Sequence, residues 1–290
     1  MNTDTTRFFP IETCRFRLDG GAMFGVVPKN LWNRTNPADE QNRIDMAARL
    51  LLIKRNEQTI LIDTGLGYKL SDKMQKIYDV DFSRFTLEHS LAEVGESLDS
   101  ITDVIITHLH FDHVGGAVSK DHDRYVPTFP RARYHVQKQQ WQWALHPSER
   151  DRASYFPENY LPLQEHGVLN LLEGETDLFP GIHVIPVEGH TFGQQVVLVE
   201  TERRKVLYAA DLIPIVSHIP APYIMGYDLQ PLVTLREKNE LLSRAVEERW
   251  VIFFEHDPVY EAATVVRTEK GFRPGRMGAL SEILSGDQGA

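Results

Sequence analysis

Short runs of apolar, often β-branched residues alternate along this chain with stretches in which apolar residues recur at helical spacing. Apolar runs of about four to eight residues are typical of strands, whereas a spacing of about three to four residues is typical of helices that bury one face. The runs predict strands over residues 46–53, 59–62, 103–107, 134–136, 182–187, 195–200, 205–209 and 250–254. The helical spacing predicts helices over residues 88–99, 139–145 and 231–248.

The predicted strands occur both as hairpin-like pairs and as pairs separated by a helix, and both kinds occur in each half of the chain. That order indicates an α/β fold of two mixed β-sheets with helices outside them, a four-layer αββα sandwich. A chain of 290 residues is normal for one large α/β domain. We therefore expect a single domain over residues 1–290, in which residues 1 to about 40 form a strand and loop extension that contributes to a pocket or a dimer contact.

Composition narrows the class of protein. Hydrophobic residues make up 42% of the chain and charged residues 25%, so a sizeable core can be buried. No stretch approaches the roughly 20 apolar residues of a membrane span, and residues 1–16 lack the pattern of a secretory signal, so we expect a cytoplasmic protein without membrane partners. The formal net charge of −10 disfavours nucleic acid as a partner. Cys14 is the single cysteine, which excludes a disulfide framework and a cysteine-rich zinc site.

Residues 107–116 read THLHFDHVGG and directly follow a predicted buried strand. Alternate residues of an extended segment point the same way, so His108, His110 and Asp112 can converge, with His113 at a neighbouring position. Imidazole nitrogen and carboxylate oxygen suit zinc, iron or manganese. The two glycines let the backbone pass close to a crowded site and enter a helix. The segment therefore predicts a metal site.

Three further residues of ligand type lie at the ends of predicted strands. They are His190 in EGHTFG, Asp211 in YAAD and His256 in FFEHD. Together with the first motif they supply enough ligands for two metal ions. Zinc is the default metal, and iron, manganese and cobalt also fit nitrogen and oxygen ligands.

The motifs HLHFDHVGG, GHTFG, AAD and EHD, in this order, resemble those of the metallo-β-lactamase superfamily, and most closely its N-acyl-homoserine lactonase branch of lactonases and esterases. The resemblance covers the chain from about Met46 to His256. It implies a first metal held by His108, His110 and His190, a second held by Asp112, His113 and His256, and a bridge between them through Asp211. It also implies that Asp63 braces the histidine-rich segment from behind.

The resemblance implies hydrolysis by a hydroxide that two metals, roughly 3.5–4 Å apart, share at neutral pH. We expect the substrate to be a small ester, above all a lactone of the N-acyl-homoserine type. Asp112 is the expected catalytic residue, which accepts a proton and later donates it to the leaving group. A homodimer is plausible by the same resemblance. No protein nucleophile is needed, and Cys14 is interpreted as a small buried residue.

Two positions depart from the lactonase pattern. In that branch a tyrosine follows the bridging aspartate, where this chain has Pro214, and Tyr223 or Tyr227 could replace it. Gln194 stands where many relatives have a second histidine. His218 follows the bridging aspartate closely enough to face a pocket, although a structural role in its loop is the favoured interpretation.

Several other functions are weighed against lactone hydrolysis. Phosphoester hydrolysis, of an organophosphate or of nucleic acid, is the main alternative because the same two-metal site serves it. Thioester hydrolysis ranks lower since no basic glutathione-binding extension is recognisable, and β-lactamase activity ranks lower since those enzymes usually lack the bridging aspartate. A non-enzymatic binding protein is disfavoured because such proteins generally lose ligands. An oxygen-reducing diiron protein would have a glutamate where this chain has His110.

Overall fold

The structure is a computed structural model that describes residues 6–202 and 204–286. The chain folds into two compact units, each assembled from separate stretches of sequence. Unit 1 comprises residues 1–16, 48–174 and 193–195, and unit 2 comprises residues 17–47, 175–192 and 196–290.

The regular elements alternate between short strands and short helices. The strands are β1 (Arg7–Asp19), β2 (Arg43–Arg55), β3 (Gln58–Ile62), β4 (Asp103–Ile105), β5 (Val118–Asp121), β6 (Arg124–Pro127), β7 (Arg133–Gln137), β8 (Leu169–Leu172), β9 (Thr176–Phe179), β10 (Ile182–Val187), β11 (Gln194–Glu200), β12 (Lys205–Tyr208), β13 (Val251–Phe253), β14 (Ala262–Thr268) and β15 (Gly271–Gly278). The helices are α1 (Gly20–Phe24), α2 (Lys29–Trp32), α3 (Asp72–Tyr78), α4 (Leu87–Glu93), α5 (Phe111–Val114), α6 (Lys138–Leu145), α7 (Leu161–Glu165), α8 (Pro231–Glu247) and α9 (Leu280–Ser285). Within the described ranges, no helix combines the length and the apolar character that crossing a bilayer requires.

Unit 1 contains most of a mixed sheet whose described strands run in the order β1-β2-β3-β4-β7-β8. β2 and β3 form an antiparallel hairpin that closes at Arg55 and Gln58, with Asn56 in the left-handed region at φ 52°. β3, β4, β7 and β8 then pair in parallel. Side chains of α4, α6 and α7 pack with one face of these strands in a continuous apolar cluster. This packing holds β3 and β4, whose ends lead into the next loops of the chain.

Unit 2 contains a second mixed sheet, whose described strands run in the order β15-β14-β13-β12-β11-β10-β9. β12 and β13 pair in parallel and the other described pairs are antiparallel. The 17-residue helix α8 covers this sheet, because Leu241, Leu242 and Ala245 join the apolar cluster formed by the strands. The parallel pair places the chain segments that follow β12 and β13 at the same edge of the sheet.

The predicted class of fold, two mixed sheets with accompanying helices, is confirmed. Each predicted strand corresponds to an observed strand, and the helices predicted over residues 139–145 and 231–248 are α6 and α8. The helix predicted over residues 88–99 is wrong in its extent. α4 ends at Glu93 because Gly95 adopts a φ of 76°, which an α-helix cannot continue through, and Leu98 lies in a separate 3₁₀ turn. The expectation of a single domain stays a prediction.

Candidate metal centre

The segment that follows β4, here called the histidine loop (residues 107–113), carries four of the predicted ligands. All four are buried: His108, His110, Asp112 and His113. α5 begins at Phe111, so the extended backbone ends at His110. Asp112 and His113 therefore lie in a helical turn, which starts before the two glycines at which the sequence predicts entry into a helix. Nε2 of His108 lies 3.0 Å from Nδ1 of His110. Two imidazole nitrogens that face each other at this distance can share one cation or one proton.

Asp63 holds the histidine loop from the end of β3, as the resemblance implies. Its carboxylate accepts hydrogen bonds from Thr107 N at 2.7 Å and Thr107 Oγ1 at 2.6 Å, and Nδ1 of His113 lies 3.1 Å from Oδ2. Asp63 is fully buried, with a φ of 59° that a non-glycine residue rarely adopts. Neighbouring Thr64 donates from N and Oγ1 to the carbonyl of His113, each at 2.8 Å. The turn after β3 therefore fixes both ends of the loop.

His190, Asp211 and His256, here called the Asp211 triad, come together in unit 2. Oδ2 of Asp211 lies 3.2 Å from Nε2 of His190, and Oδ1 lies 3.3 Å from Nε2 of His256. All three residues are buried. One carboxylate thus presents a different oxygen to each imidazole, an arrangement that is compatible with a carboxylate bound to two cations.

In four of the histidines Nε2 is the ring nitrogen that faces another predicted ligand, while Nδ1 contacts an oxygen. A ligating histidine commonly donates its other ring N–H to an oxygen, which fixes the tautomer and orients the ring. Nδ1 has such an oxygen partner in each case: Thr107 Oγ1 for His108 at 3.1 Å, Asp63 for His113 at 3.1 Å, Asp228 for His190 at 2.9 Å, and the Ala47 carbonyl for His256 at 2.9 Å. The donor set therefore fits divalent metal ions, and clusters of histidine and aspartate that could hold them occur among the described residues.

Two buried groups in unit 1, the phenol of Tyr78 and the thiol of Cys14, have raised pKa values. Burial, and then the negative charge of Asp112, raises the pKa of the Tyr78 phenol. Burial also raises the pKa of the Cys14 thiol to about 12. Cys14 is therefore a protonated, fully buried core residue, as the sequence predicts, and not a nucleophile.

Several residues contact the predicted ligands without being predicted ligands themselves, and the sequence motifs do not include them. In unit 1, Gln140 Oε1 accepts a hydrogen bond from Leu109 N, and the ring of Tyr155 packs edge-on against His110 with centroids 4.8 Å apart. In unit 2, Asp228 contacts His190 as described above. None of these three residues belongs to one of the ligand motifs, so only their contacts identify them.

His218 has the structural role that the sequence favours. It is 1% exposed, donates from Nε2 to the Met23 carbonyl at 2.7 Å, and stacks on Phe24 with ring centroids 4.9 Å apart. Burial, and then the positive charge of Lys238, lowers the pKa of His218 to about 3, so the ring is neutral. It serves as a packing residue for Phe24.

The positions that depart from the lactonase pattern lie in different environments. The Pro214 carbonyl accepts a hydrogen bond from His256 N at 3.1 Å, so Pro214 supports a predicted ligand through its backbone. Tyr223 contacts the edge of Phe24 at a centroid distance of 6.1 Å, whereas Tyr227 is 39% exposed. Gln194 is fully buried at the start of β11.

Known proteins resemble this chain in both sequence and structure. Residues 50–256 match the family model of the metallo-beta-lactamase superfamily. An N-acyl homoserine lactonase of Bacillus thuringiensis is 28% identical over 219 residues, which cover 71% of this chain and 79% of that protein. A probable metal-dependent hydrolase from Staphylococcus aureus superposes with a TM-score of 0.86 at 27% identity, over 96% of this chain and 98% of that one. AidC, a dizinc quorum-quenching lactonase, shares the fold with a TM-score of 0.77 at 21% identity, over 95% of each chain.

The matched segment, residues 50–256, contains Asp63, the histidine loop and the whole Asp211 triad. The predicted resemblance to the superfamily and to its lactonase branch is confirmed by these relatives. The chain therefore belongs to the metallo-beta-lactamase superfamily.

Proposed function

We propose that this chain is a binuclear metallo-hydrolase that opens small esters, above all lactones of the N-acyl-homoserine type. The observation that carries the metal centre is the Asp211 carboxylate, which presents one oxygen to His190 and the other to His256. The substrate class is supported by the likeness to an N-acyl homoserine lactonase that extends over 79% of that protein.

The proposed ligands are four residues of the histidine loop, His108, His110, Asp112 and His113, and the three residues of the Asp211 triad. One metal would be held by His108, His110 and His190, the other by Asp112, His113 and His256, and Asp211 would bind both. Zinc is the first choice, and iron, manganese or cobalt would fit the same nitrogen and oxygen donors. When bound, such metals supply Lewis acidity and lower the pKa of a water molecule towards neutrality.

The chain's own contribution to hydrolysis is to orient the ligands and to move one proton. Water adds to the carbonyl carbon of the lactone, and the ring bond between that carbon and the ester oxygen breaks. Asp112 would accept the proton of the attacking water and return it to the departing alkoxide oxygen, so the proton balance closes without a protein nucleophile. Asp112 lies in the first turn of α5, the helix that begins directly after His110, so its carboxylate is carried by a regular element and not by a loop.

The first test is hydrolysis of N-hexanoyl-homoserine lactone by the zinc-loaded protein, followed by pH-stat titration. We expect turnover of the lactone, and a loss of about 10²- to 10⁴-fold in kcat for Asp112→Asn, because the variant lacks the proton acceptor. Asp121→Asn is the matched control, since Asp121 lies on the exposed β5–β6 hairpin and should leave turnover unchanged.

The same preparation should be tested with an aryl ester and a phosphotriester. A metal-loaded protein that opens no lactone, or that hydrolyses the phosphotriester far faster than any lactone, would contradict the proposed substrate. Full activity of Asp112→Asn would contradict the role of the carboxylate while leaving the substrate assignment intact.

A further inference from the structure

Helix α8 has a buried stripe whose first half is polar. Its buried residues recur at helical spacing: Thr234, Glu237, Lys238, Leu241, Leu242 and Ala245. The last three pack into the apolar core of unit 2, as expected for an amphipathic helix. Polar side chains are normally absent from such a stripe unless each has a partner, since an unsatisfied buried polar group destabilises the fold. The hydrogen-bond partners of Thr234, Glu237 and Lys238 therefore show which segments the polar half of the stripe holds.

Thr234 is linked to a ligand of the proposed metal centre through one carboxylate. Its hydroxyl donates to Oδ2 of Asp228 at 2.7 Å, and Oδ1 of the same carboxylate lies 2.9 Å from Nδ1 of His190. Thr234 and Asp228 are 1% and 3% exposed. Nδ1 of His190 therefore donates to a carboxylate that is itself fixed from behind, and Nε2 faces Asp211 at 3.2 Å.

The backbone around His190 is held by the same region. Glu237 accepts hydrogen bonds from Glu188 N at 2.8 Å and Gly189 N at 3.1 Å. In the other direction, Leu229 N donates to the carbonyl of His190 and Gln230 N to that of Gly189. A Cβ at Gly189 would lie 2.2 Å from Thr234 Oγ1, so only glycine lets the helix approach this closely.

Lys238 holds the loop that follows Asp211. Its ammonium donates to the carbonyls of Pro220 at 3.2 Å and Tyr223 at 2.6 Å, and the residue is fully buried. The polar half of the α8 stripe thus reaches both the segment that carries His190 and the segment that follows Asp211.

We propose that Thr234 and Asp228 are positioning residues for the metal centre, which fix the tautomer and the ring orientation of His190 so that Nε2 is presented for coordination. Neither residue was singled out by the sequence motifs. The inference rests on the proposed function, because it assumes that His190 binds a metal ion.

The variants Thr234→Val and Thr234→Ser separate the hydroxyl from the volume of the side chain. Valine keeps the branched shape and removes the donor to Asp228, whereas serine keeps the donor. Asp228→Asn keeps the shape of the carboxylate and allows the amide to donate to Nδ1, which would favour the other tautomer. Glu240→Gln is the control on the same helix, since Glu240 lies on its exposed face with 67% of the side chain accessible.

Zinc affinity is measured by competition with a chromophoric chelator, and the visible spectrum of the cobalt-loaded protein reports the coordination geometry. We expect Thr234→Val and Asp228→Asn to weaken zinc binding at one of two sites by about 10- to 100-fold and to change the cobalt spectrum. Thr234→Ser and Glu240→Gln should match the wild type in both measurements.

Wild-type zinc affinity and cobalt spectrum in Thr234→Val would overturn the proposal, as would equal losses in Thr234→Val and Thr234→Ser. Circular dichroism checks the fold, and if Asp228→Asn does not fold, the valine and serine pair decides. A wild-type protein that binds no zinc would instead contradict the proposed function, so the two failures are distinguishable.

Discussion

At the scale of single residues, the role of a buried histidine is decided by the partners of its two ring nitrogens. His190 donates from Nδ1 to Asp228 and presents Nε2 to Asp211. His218 is equally buried, yet it donates from Nε2 to a backbone carbonyl and stacks on Phe24. The first arrangement suits a metal ligand and the second suits a packing residue.

The neutral state of His218 has a measurable consequence for stability against pH. The folded protein takes up this proton only near pH 3, whereas an unfolded chain does so near pH 6.5. The unfolded state therefore binds more protons between these values, and stability falls as the pH falls below 6.5. Between pH 7 and pH 5 we expect wild type to lose about 2 kcal/mol more stability than His218→Phe.

This comparison is made by urea denaturation of the chelator-treated proteins, so that loss of metal does not contribute. His89→Gln is the control, because the side chain of His89 is 65% exposed. The stability of this variant should change with pH in the same way as that of the wild type. Parallel pH profiles for wild type and His218→Phe would show that the burial of His218 does not penalise its protonation.

The sequence predicts residues that belong to a motif, but it does not predict residues that position those motif residues by hydrogen bonds. The histidine loop is recognisable because its spacing is local, and Asp63 is recognisable because it stands in the IDTG turn that follows an apolar strand. Asp228 and Thr234 are not, because a single aspartate in a loop and a threonine in a helix occur for many reasons. Their proposed role follows from the contact of Asp228 with His190, which lies 38 residues earlier in the chain, and from the contact of Thr234 with Asp228.

At the scale of elements, helix α8 combines a packing role with a positioning role on one face. Leu242 is fully buried in the apolar half of its stripe, whereas Leu232, in the first turn, is 81% exposed. We expect Leu242→Ala to lower the free energy of unfolding by about 2 to 5 kcal/mol, because it removes buried methyl groups and leaves a cavity.

Leu232→Ala is the matched variant for this prediction, since it removes the same atoms from the surface of the same helix. Its effect should stay within about 0.5 kcal/mol. Chemical denaturation measures both variants, and equal losses would contradict the packing assigned to α8.

Elements with strong periodicity are predicted well, and the exceptions have local causes. α8 and the β2–β3 hairpin agree with their apolar patterns. α4 is shorter than its leucine spacing suggests because a glycine with positive φ ends it. The sequence does not predict the β14–β15 hairpin, because only one residue of β15 is buried and its sequence contains glycine and proline, so the apolar alternation of that strand is weak.

At the scale of the whole molecule, the predicted ligands come from loops at the ends of strands in two units that are each discontinuous in sequence. The histidine loop follows β4, His190 follows β10, Asp211 follows β12 and His256 follows β13. Each segment is an apolar run that ends in a polar residue, which is why the sequence alone could single out these residues as candidate ligands. Substrate choice has no such signature, because it depends on the shape of the loops and not on the order of motifs.

We propose that seven side chains hold two metal ions in one chain. The metal content of the purified protein tests this proposal, determined by elemental analysis after dialysis against dilute zinc, for wild type and for Asp211→Ala. We expect two zinc ions per chain in wild type and a lower ratio in the variant, which lacks the carboxylate shared by His190 and His256. A wild-type ratio of one or zero, or an unchanged ratio of two in Asp211→Ala, would contradict it.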